Sequence, residues 1–204
     1  MGERALTAGE ISLAQRIYKT AINYGKVKIH DEKYMVFQPD HSGMTPNGEI
    51  YVSGTGTYTA DYSTSPSADL RSFFIHEMAH VWQYQLNILS PIGSAIAESF
   101  RHFFNYAKAY EYELVTGKDL LDYRIEQQAQ IIQDYYLWFL EASQPRQTLY
   151  LNKGPSSTFL PLYHQVLARF MANPGYAKHT IVCTRDTAGP PSARHTTCTR
   201  RLAP

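Results

Sequence analysis

The residues with the clearest chemical meaning lie in an H-E-x-x-H segment that begins at His76. On a helix, His76 and His80 are four residues apart, so their imidazoles project from one face, one turn above the other. This spacing lets both nitrogens bind one zinc ion (Zn²⁺) at roughly 2.0–2.1 Å. Glu77 is rotated by about 100° from His76 and can instead reach a water on the open side of the metal. The segment therefore predicts a hydrolytic zinc site in which Glu77 is the general base.

A purely structural interpretation of the same segment has to be weighed against the catalytic one. A partly buried helix can carry two histidines by chance, because a five-residue motif with two free positions is short. However, apolar residues stand before, within and after the motif, from Phe73 to Trp82. These flanks predict that the helix is buried, so that it can hold the motif inside the protein. The sequence therefore favours the metal site.

A catalytic zinc ion needs a third protein ligand, and the sequence leaves its identity open. The extended motif with a third histidine six residues after the second is absent, so a glutamate from another helix is the remaining common solution. Glu126 is the best placed, since it stands near the start of a predicted helix and the small Ala129 follows on its face. The helix dipole alone would also favour a glutamate there. The other candidates are Glu98, Glu111, Glu113, His102 and His164.

This ligand set defines the expected chemistry. Two neutral imidazoles and one carboxylate leave the zinc ion with net positive charge, which lowers the pKa of a bound water toward about 7. Glu77 would accept the proton of that water as it attacks a carbonyl, and would return the proton to the leaving amine. A tyrosine or histidine would serve as an additional donor to the developing oxyanion. The sequence does not choose among the candidates of these types, which are Tyr106, Tyr110, Tyr112, Tyr123, His102 and His164.

Periodicity and turn residues predict a mostly helical α+β fold around this site. A capping box at Thr7–Glu10 starts a helix that runs to Tyr24 and is closed by Gly25. Ser65 and Pro66 start the helix that carries the motif. Besides this first helix, the predicted helices are 65–89, 94–109, 122–142 and 159–172. The predicted extended segments are 27–30, 34–38, 49–52, 55–59 and 110–115, with turn chemistry at 39–43 and 45–48.

Composition limits the classes of function. The chain has 204 residues, of which 44% are hydrophobic and 18% charged, so one domain with a sizeable core is expected. The net charge of +1 gives no field that would attract nucleic acid. No segment approaches 18 uninterrupted apolar residues, so no membrane span is expected. The N-terminus shows no hydrophobic signal core, so export by an ordinary signal peptide is not expected.

The last part of the chain differs from the rest. Residues 176–204 are rich in Thr, Arg, Pro and Ala and have almost no apolar periodicity. They predict a flexible tail or an artefact of the reading frame, behind a domain that covers residues 1–175. The two cysteines, Cys183 and Cys198, lie in this tail without metal-site spacing, and no role is assigned to them.

Four segments in order, at residues 45–51, 74–83, 110–112 and 126–129, resemble a known family. They are similar to the zincin-like metallopeptidase domains at the C-termini of type VI secretion spike (VgrG) proteins and in Rhs-type bacterial toxins. The resemblance implies a zincin-like fold with an active-site helix, a second ligand-bearing helix and a small flanking antiparallel sheet. By position, it also implies that His76, His80 and Glu126 are the metal ligands and that Glu77 is the catalytic glutamate.

The resemblance further implies a biological setting. It predicts a zinc metallopeptidase that acts as a secreted antibacterial effector toxin on a peptide substrate, in the periplasm of a target cell. A secretion-spike partner and an immunity protein in the producer are expected with it. No spike or repeat region is visible in the chain, which fits a free-standing effector or an excised domain. The alternatives are a zinc amidase that acts on peptidoglycan and an inactive zinc-containing binding module, against which the intact Glu77 argues.

Overall fold

The structure is a computed structural model. It describes residues 2–36, 38–88, 106–145, 149–177, 179–185 and 196–202. Its helices are α1 (Ala8–Tyr18), α2 (Ala68–Gln85), α3 (Tyr106–Tyr110), α4 (Ile125–Leu140), α5 (Ser156–Val166) and α6 (Ala168–Ala172). Its strands are β1 (Glu3–Ala5), β2 (Lys28–His30), β3 (Ser42–Met44), β4 (Ile50–Ser53), β5 (His179–Arg185) and β6 (Thr196–Leu202). The described residues thus form an α+β fold, as the sequence predicts.

The sheet next to α2 has four strands in the order β1-β2-β4-β3. β1 pairs with β2, and β3 with β4, in antiparallel register, but β2 and β4 are parallel, with Ile29 opposite Ile50. The prediction of an antiparallel sheet is therefore wrong for this central pair. A parallel pair needs a long connection, and residues 31–49 supply one that also contains β3. β3 itself lies in a segment for which the sequence predicts turns, and it forms an edge of the sheet.

Helix α1 begins as predicted and ends earlier. The Thr7 hydroxyl accepts from the backbone N–H of Glu10, and the Glu10 carboxylate accepts from the N–H of Thr7, which is the predicted capping box. The helix ends at Tyr18 because Lys19 adopts a positive φ of 49°. Gly25 therefore does not close this helix, and it lies in a separate 3-10 turn at Tyr24–Lys26.

Helices α2 and α4 pack antiparallel and form the centre of the fold. α2 begins after Ser67, whose hydroxyl accepts from the N–H of Leu70, two residues later than the predicted cap. The Gln133 amide of α4 donates to the Ser72 hydroxyl near the start of α2, and Gln83 near its end donates to the carbonyl of Ile125. The middle of α2 is buried, so the histidine motif lies inside the protein.

The chain after α2 departs further from the predicted elements. The predicted helix at 94–109 lies mostly outside the described residues, which contain only α3 from that region. The predicted strand at 110–115 is reduced to one bridge between Tyr112 and Tyr150. The predicted helix at 159–172 is divided into α5 and α6, which meet at Leu167.

Residues of the predicted tail contact the domain. The Tyr176 hydroxyl donates to Asp119, its ring lies under the Arg169 guanidinium, and Ala177 is buried. Beyond them, β5 and β6 pair antiparallel in a two-stranded sheet of their own, although the sequence shows no strand pattern there. None of the helices in the described ranges is long and apolar enough to cross a membrane.

Candidate metal centre

The packing of α2 against α4 brings three potential metal ligands together. His76 and His80 lie one turn apart on α2, and Glu126 stands in the first turn of α4. The Nε2 atoms of the two histidines are 3.3 Å apart. Oε2 of Glu126 lies 3.6 Å from Nε2 of His76 and 3.2 Å from Nε2 of His80. The three donor atoms therefore form a nearly equilateral triangle.

The triangle has the size that a zinc ion requires. Two ligands bound at about 2.1 Å in tetrahedral geometry are about 3.4 Å apart, which is close to all three observed separations. Oε2 of Glu126 is also buried and has no hydrogen bond within the described protein. Its neighbours in the triangle are the two imidazole nitrogens, and a bound cation would satisfy all three donor atoms. The donor set and its geometry thus fit a divalent metal such as zinc.

The charges in the triangle favour a cation. Burial alone would raise the pKa of the Glu126 carboxyl, but the two imidazoles outweigh burial and hold this pKa well below its usual range. Burial likewise lowers the pKa of His80, but Glu126, with help from Glu77 and Gln83, raises it to about 9. Glu126 is therefore a carboxylate at neutral pH, and its negative charge stabilises positive charge at the triangle.

Gln83 fixes the orientation of His80. Its Oε1 lies 2.8 Å from Nδ1 of His80, and its Nε2 donates to the Ile125 carbonyl at 3.0 Å and to Oε1 of Gln128 at 3.1 Å. Because the amide nitrogen has these two acceptors, the amide oxygen has to face His80, which then carries its proton on Nδ1. When a metal ion takes the place of the second proton, on Nε2, the Nε2 lone pair faces the triangle, as metal binding requires.

Glu77 lies beside the triangle and is not one of its corners. Its Oε2 accepts from the Thr45 hydroxyl at 2.7 Å, and the side chain is buried. A cleft of about 10 Å³ is lined by Glu77, His80, Glu126, Tyr110 and the segment from Gly43 to Thr45. This is the space that about one water molecule needs. Glu77 therefore faces a water-sized site next to the three potential ligands.

The remaining candidates from the sequence are dispersed. Among the described residues, Glu111 and Glu113 join no metal-binding group, whereas Glu98 and His102 lie outside those residues, as does the side chain of Tyr106. The Tyr112 hydroxyl donates to Asp134, the Tyr123 hydroxyl accepts from the N–H of Val115, and the His164 ring packs at a tilt against that of Phe139. Of the donor candidates whose side chains the structure describes, only Tyr110 reaches the site, with its ring 5.7 Å from that of His76.

Three residues of the site are not predicted as site residues from the sequence, namely Gly43, Thr45 and Gln83. Gln83 stands three residues after His80 on the same helix, a spacing that could have suggested a contact. Gly43 and Thr45 are more than 30 positions before Glu77 and lie in segments with turn chemistry. Their approach depends on the sheet, so no local pattern reveals it.

Together, the fold and the site define an α+β domain in which two antiparallel helices present a His–His–Glu triad that could hold a metal ion. The chain belongs to the family of the effector domain of Pseudomonas aeruginosa VgrG2b. Its structure matches that solved domain with a TM-score of 0.59 and 34% sequence identity, covering 82% of this chain and 81% of the domain.

A second comparison concerns the full-length relative. The chain is 40% identical over 134 residues, or 66% of its length, to the type VI secretion system spike protein VgrG2b of Pseudomonas aeruginosa strain PAO1. The matched region covers 13% of that spike protein. No family model matches the chain.

Proposed function

We propose that this chain is a zinc-dependent metallopeptidase-like hydrolase of zincin type. The observation that carries the proposal is the triangle of His76, His80 and Glu126 with Glu77 next to it on a water-sized cleft. A purely structural zinc site is closed by four protein ligands and needs no base. Here three ligands converge, and the fourth side is the cleft that Glu77 faces.

The side chains around the cleft support hydrolysis of an amide. When bound, the zinc ion would acidify a water and polarise the substrate carbonyl. Glu77 accepts a proton from the attacking water, whose oxygen bonds to the carbonyl carbon. The C–N bond then breaks, and Glu77 returns the proton to the leaving amine. Tyr110 is the residue at the cleft that can donate to the carbonyl oxygen as negative charge develops there.

The biological part of the proposal rests on the family. The relative is a type VI secretion spike protein, and the solved relative is its effector domain. We infer that this chain likewise acts as an effector that leaves the producing cell with the secretion spike. Its proposed site of action is the periplasm of a target cell, and an immunity protein would guard the producer.

Metal content and hydrolysis of the purified protein test the proposed function. The wild type should hold one zinc ion per chain and cleave labelled casein. Glu77→Gln should keep the zinc and slow cleavage by about 10²–10⁴-fold, which is the contribution of a general base. Glu113→Gln, a change of the same type at an exposed position, should leave both unchanged.

Each other outcome has a defined meaning. Loss of zinc in Glu77→Gln would contradict the role of Glu77 as a base that is not a ligand. Cleavage of peptidoglycan amides in place of casein would identify a zinc amidase. A wild type that holds zinc and cleaves neither substrate would be a binding module, and the proposed hydrolase function would be wrong.

A further inference from the structure

The edge strand β3 and the residue after it contact the Glu77 carboxylate from two sides. The Thr45 hydroxyl donates to Oε2 of Glu77 at 2.7 Å, and both side chains are buried. Gly43 lies against the other oxygen, since a Cβ atom at this position would stand 2.3 Å from Oε1. Gly43 and Thr45 are two positions apart, so both face the same side of the strand. That side is the one toward α2.

The reason for a glycine at position 43 is the lack of space for a side chain and not the backbone conformation. Its φ is not positive, so the backbone there would accept other residues. A Cβ atom would, however, also lie 2.5 Å from Cδ of Glu77 and 2.7 Å from Cζ of Phe73. Any side chain at this position would therefore displace the Glu77 carboxylate. The glycine leaves the room in which that carboxylate lies.

We propose that Thr45 and Gly43 are positioning residues for Glu77, an inference that rests on the proposed function. A glutamate side chain has three rotatable bonds, and its outermost torsion is broad, so one wall of the cleft alone does not fix it. The Thr45 hydroxyl occupies Oε2, and the space above Gly43 holds Oε1 at the cleft. Oε1 is then the oxygen that takes the proton of the attacking water.

A conservative pair of changes at Thr45 separates positioning from packing. Thr45→Val keeps the shape and removes the hydroxyl, whereas Thr45→Ser keeps the hydroxyl. Misplacement of a reacting group by about 1 Å can cost about 10²-fold in rate. We expect kcat on labelled casein to fall about 10- to 100-fold in Thr45→Val, with KM within about twofold and zinc content unchanged. Thr45→Ser should restore most of kcat, and the exposed Thr20→Val serves as the matched control.

A second variant reaches the same carboxylate from the other side. Gly43→Ala adds one methyl group against the flexible end of Glu77, so it should fold and bind zinc but lower kcat as Thr45→Val does. Gly25→Ala is the matched control, because a Cβ atom there meets only Asn23 at an ordinary 3.6 Å. Rates equal to wild type in both Thr45→Val and Gly43→Ala would overturn the inference.

Crystal structures of the zinc-loaded variants provide a readout that does not depend on activity. In Thr45→Val and Gly43→Ala, the Glu77 carboxylate should move by about 1 Å or more, or occupy several rotamers, while the three ligands stay in place. An unmoved carboxylate in both variants would also overturn the inference. A zinc-loaded wild type that cleaves neither casein nor peptidoglycan would instead overturn the proposed function, and the catalytic meaning of Thr45 with it.

Discussion

At the scale of single residues, the Gln83 amide links the two halves of the candidate metal centre. It contacts Nδ1 of His80 on α2 and the carbonyl of Ile125, the residue before Glu126 on α4. Gln83 is fully buried, and its contact with His80 is shielded from water. Gln83 thus orients His80 and also holds the start of α4, which carries Glu126, against α2. Such outer contacts typically change metal affinity by 10- to 100-fold.

Replacing Gln83 tests this link. Gln83→Leu keeps a similar volume but removes the acceptor for His80 and the donor for Ile125, so zinc affinity should fall about 10- to 100-fold. A competition titration with a chelating zinc indicator measures this change. Gln85→Leu is the matched control, since Gln85 lies on the same helix and bonds to Asn23 instead. Equal zinc affinity in Gln83→Leu and wild type would show that His80 is oriented without this amide.

Local spacing in the sequence predicts one part of the site and misses another. The four-residue interval between His76 and His80 fixes their common face as soon as a helix is assumed. Glu126 was one of several candidates, and the packing of two helices was needed to bring it within 3.2 Å of His80. The metal roles of all three stay predictions. The role of Thr45 cannot be predicted from local spacing, because its contact with Glu77 joins residues 32 positions apart in the chain.

At the scale of elements, the sequence predicts helices better than strands. α1, α2 and α4 appear where apolar residues recur at helical spacing, with ends displaced by a few residues. The strands are only three or four residues long near the site, too short for a period of two to be recognised. β3 carries a glycine and follows a turn segment, so only its pairing with β4 makes it a strand.

A buried polar network joins α4 to α5 and to the chain between α3 and α4. Oδ2 of Asp134 accepts from the Tyr112 hydroxyl, which also contacts the Tyr163 hydroxyl, and Oδ1 accepts from Gln130. Burial raises the pKa of Asp134 to about 6, although the bonds from Tyr112 and Gln130 act in the opposite direction. The ionised carboxylate is therefore less favourable here than in water.

This pKa predicts a pH dependence of stability. The folded pKa of about 6 lies above the unfolded value of about 3.9, so the folded state binds more protons as pH falls through 6. Stability should thus gain about 1 kcal/mol from Asp134 between pH 7 and pH 5. Urea unfolding of the metal-free wild type and Asp134→Asn at both pH values measures the difference. If the free energy of unfolding of the wild type rises no more than that of Asp134→Asn between pH 7 and pH 5, the raised pKa of Asp134 is contradicted.

At the scale of the whole molecule, the chain is similar to one part, the effector domain, of a much longer relative, the spike protein VgrG2b. It covers 81% of the solved effector domain but only 13% of the spike protein itself. Composition predicts a folded domain, but it contains no information on where the protein acts. The proposed periplasmic site of action therefore has to be tested in cells.

Directed expression in a susceptible bacterium makes this test. The chain should be tolerated in the cytoplasm and become toxic when an export signal is added, because its proposed target lies in the periplasm. Growth curves and colony counts measure the effect. Exported Glu77→Ala is the matched control and should be harmless at equal protein level.

Two results of the expression test would change the biological proposal. Equal toxicity with and without the export signal would point to a cytoplasmic target. Harmless export of a zinc-loaded wild type would contradict the antibacterial role and would favour a host-directed protease or a binding module.

A crystal structure of the zinc-loaded protein tests most directly whether His76, His80 and Glu126 bind one zinc ion, as we propose. Diffraction data on both sides of the zinc absorption edge locate the ion independently of its surroundings. We expect one anomalous peak at about 2.0–2.2 Å from Nε2 of both histidines and from a Glu126 carboxylate oxygen, with Glu77 outside bonding distance. A peak whose third protein ligand is Glu98, Glu111 or Glu113, or no peak at these histidines, would contradict it.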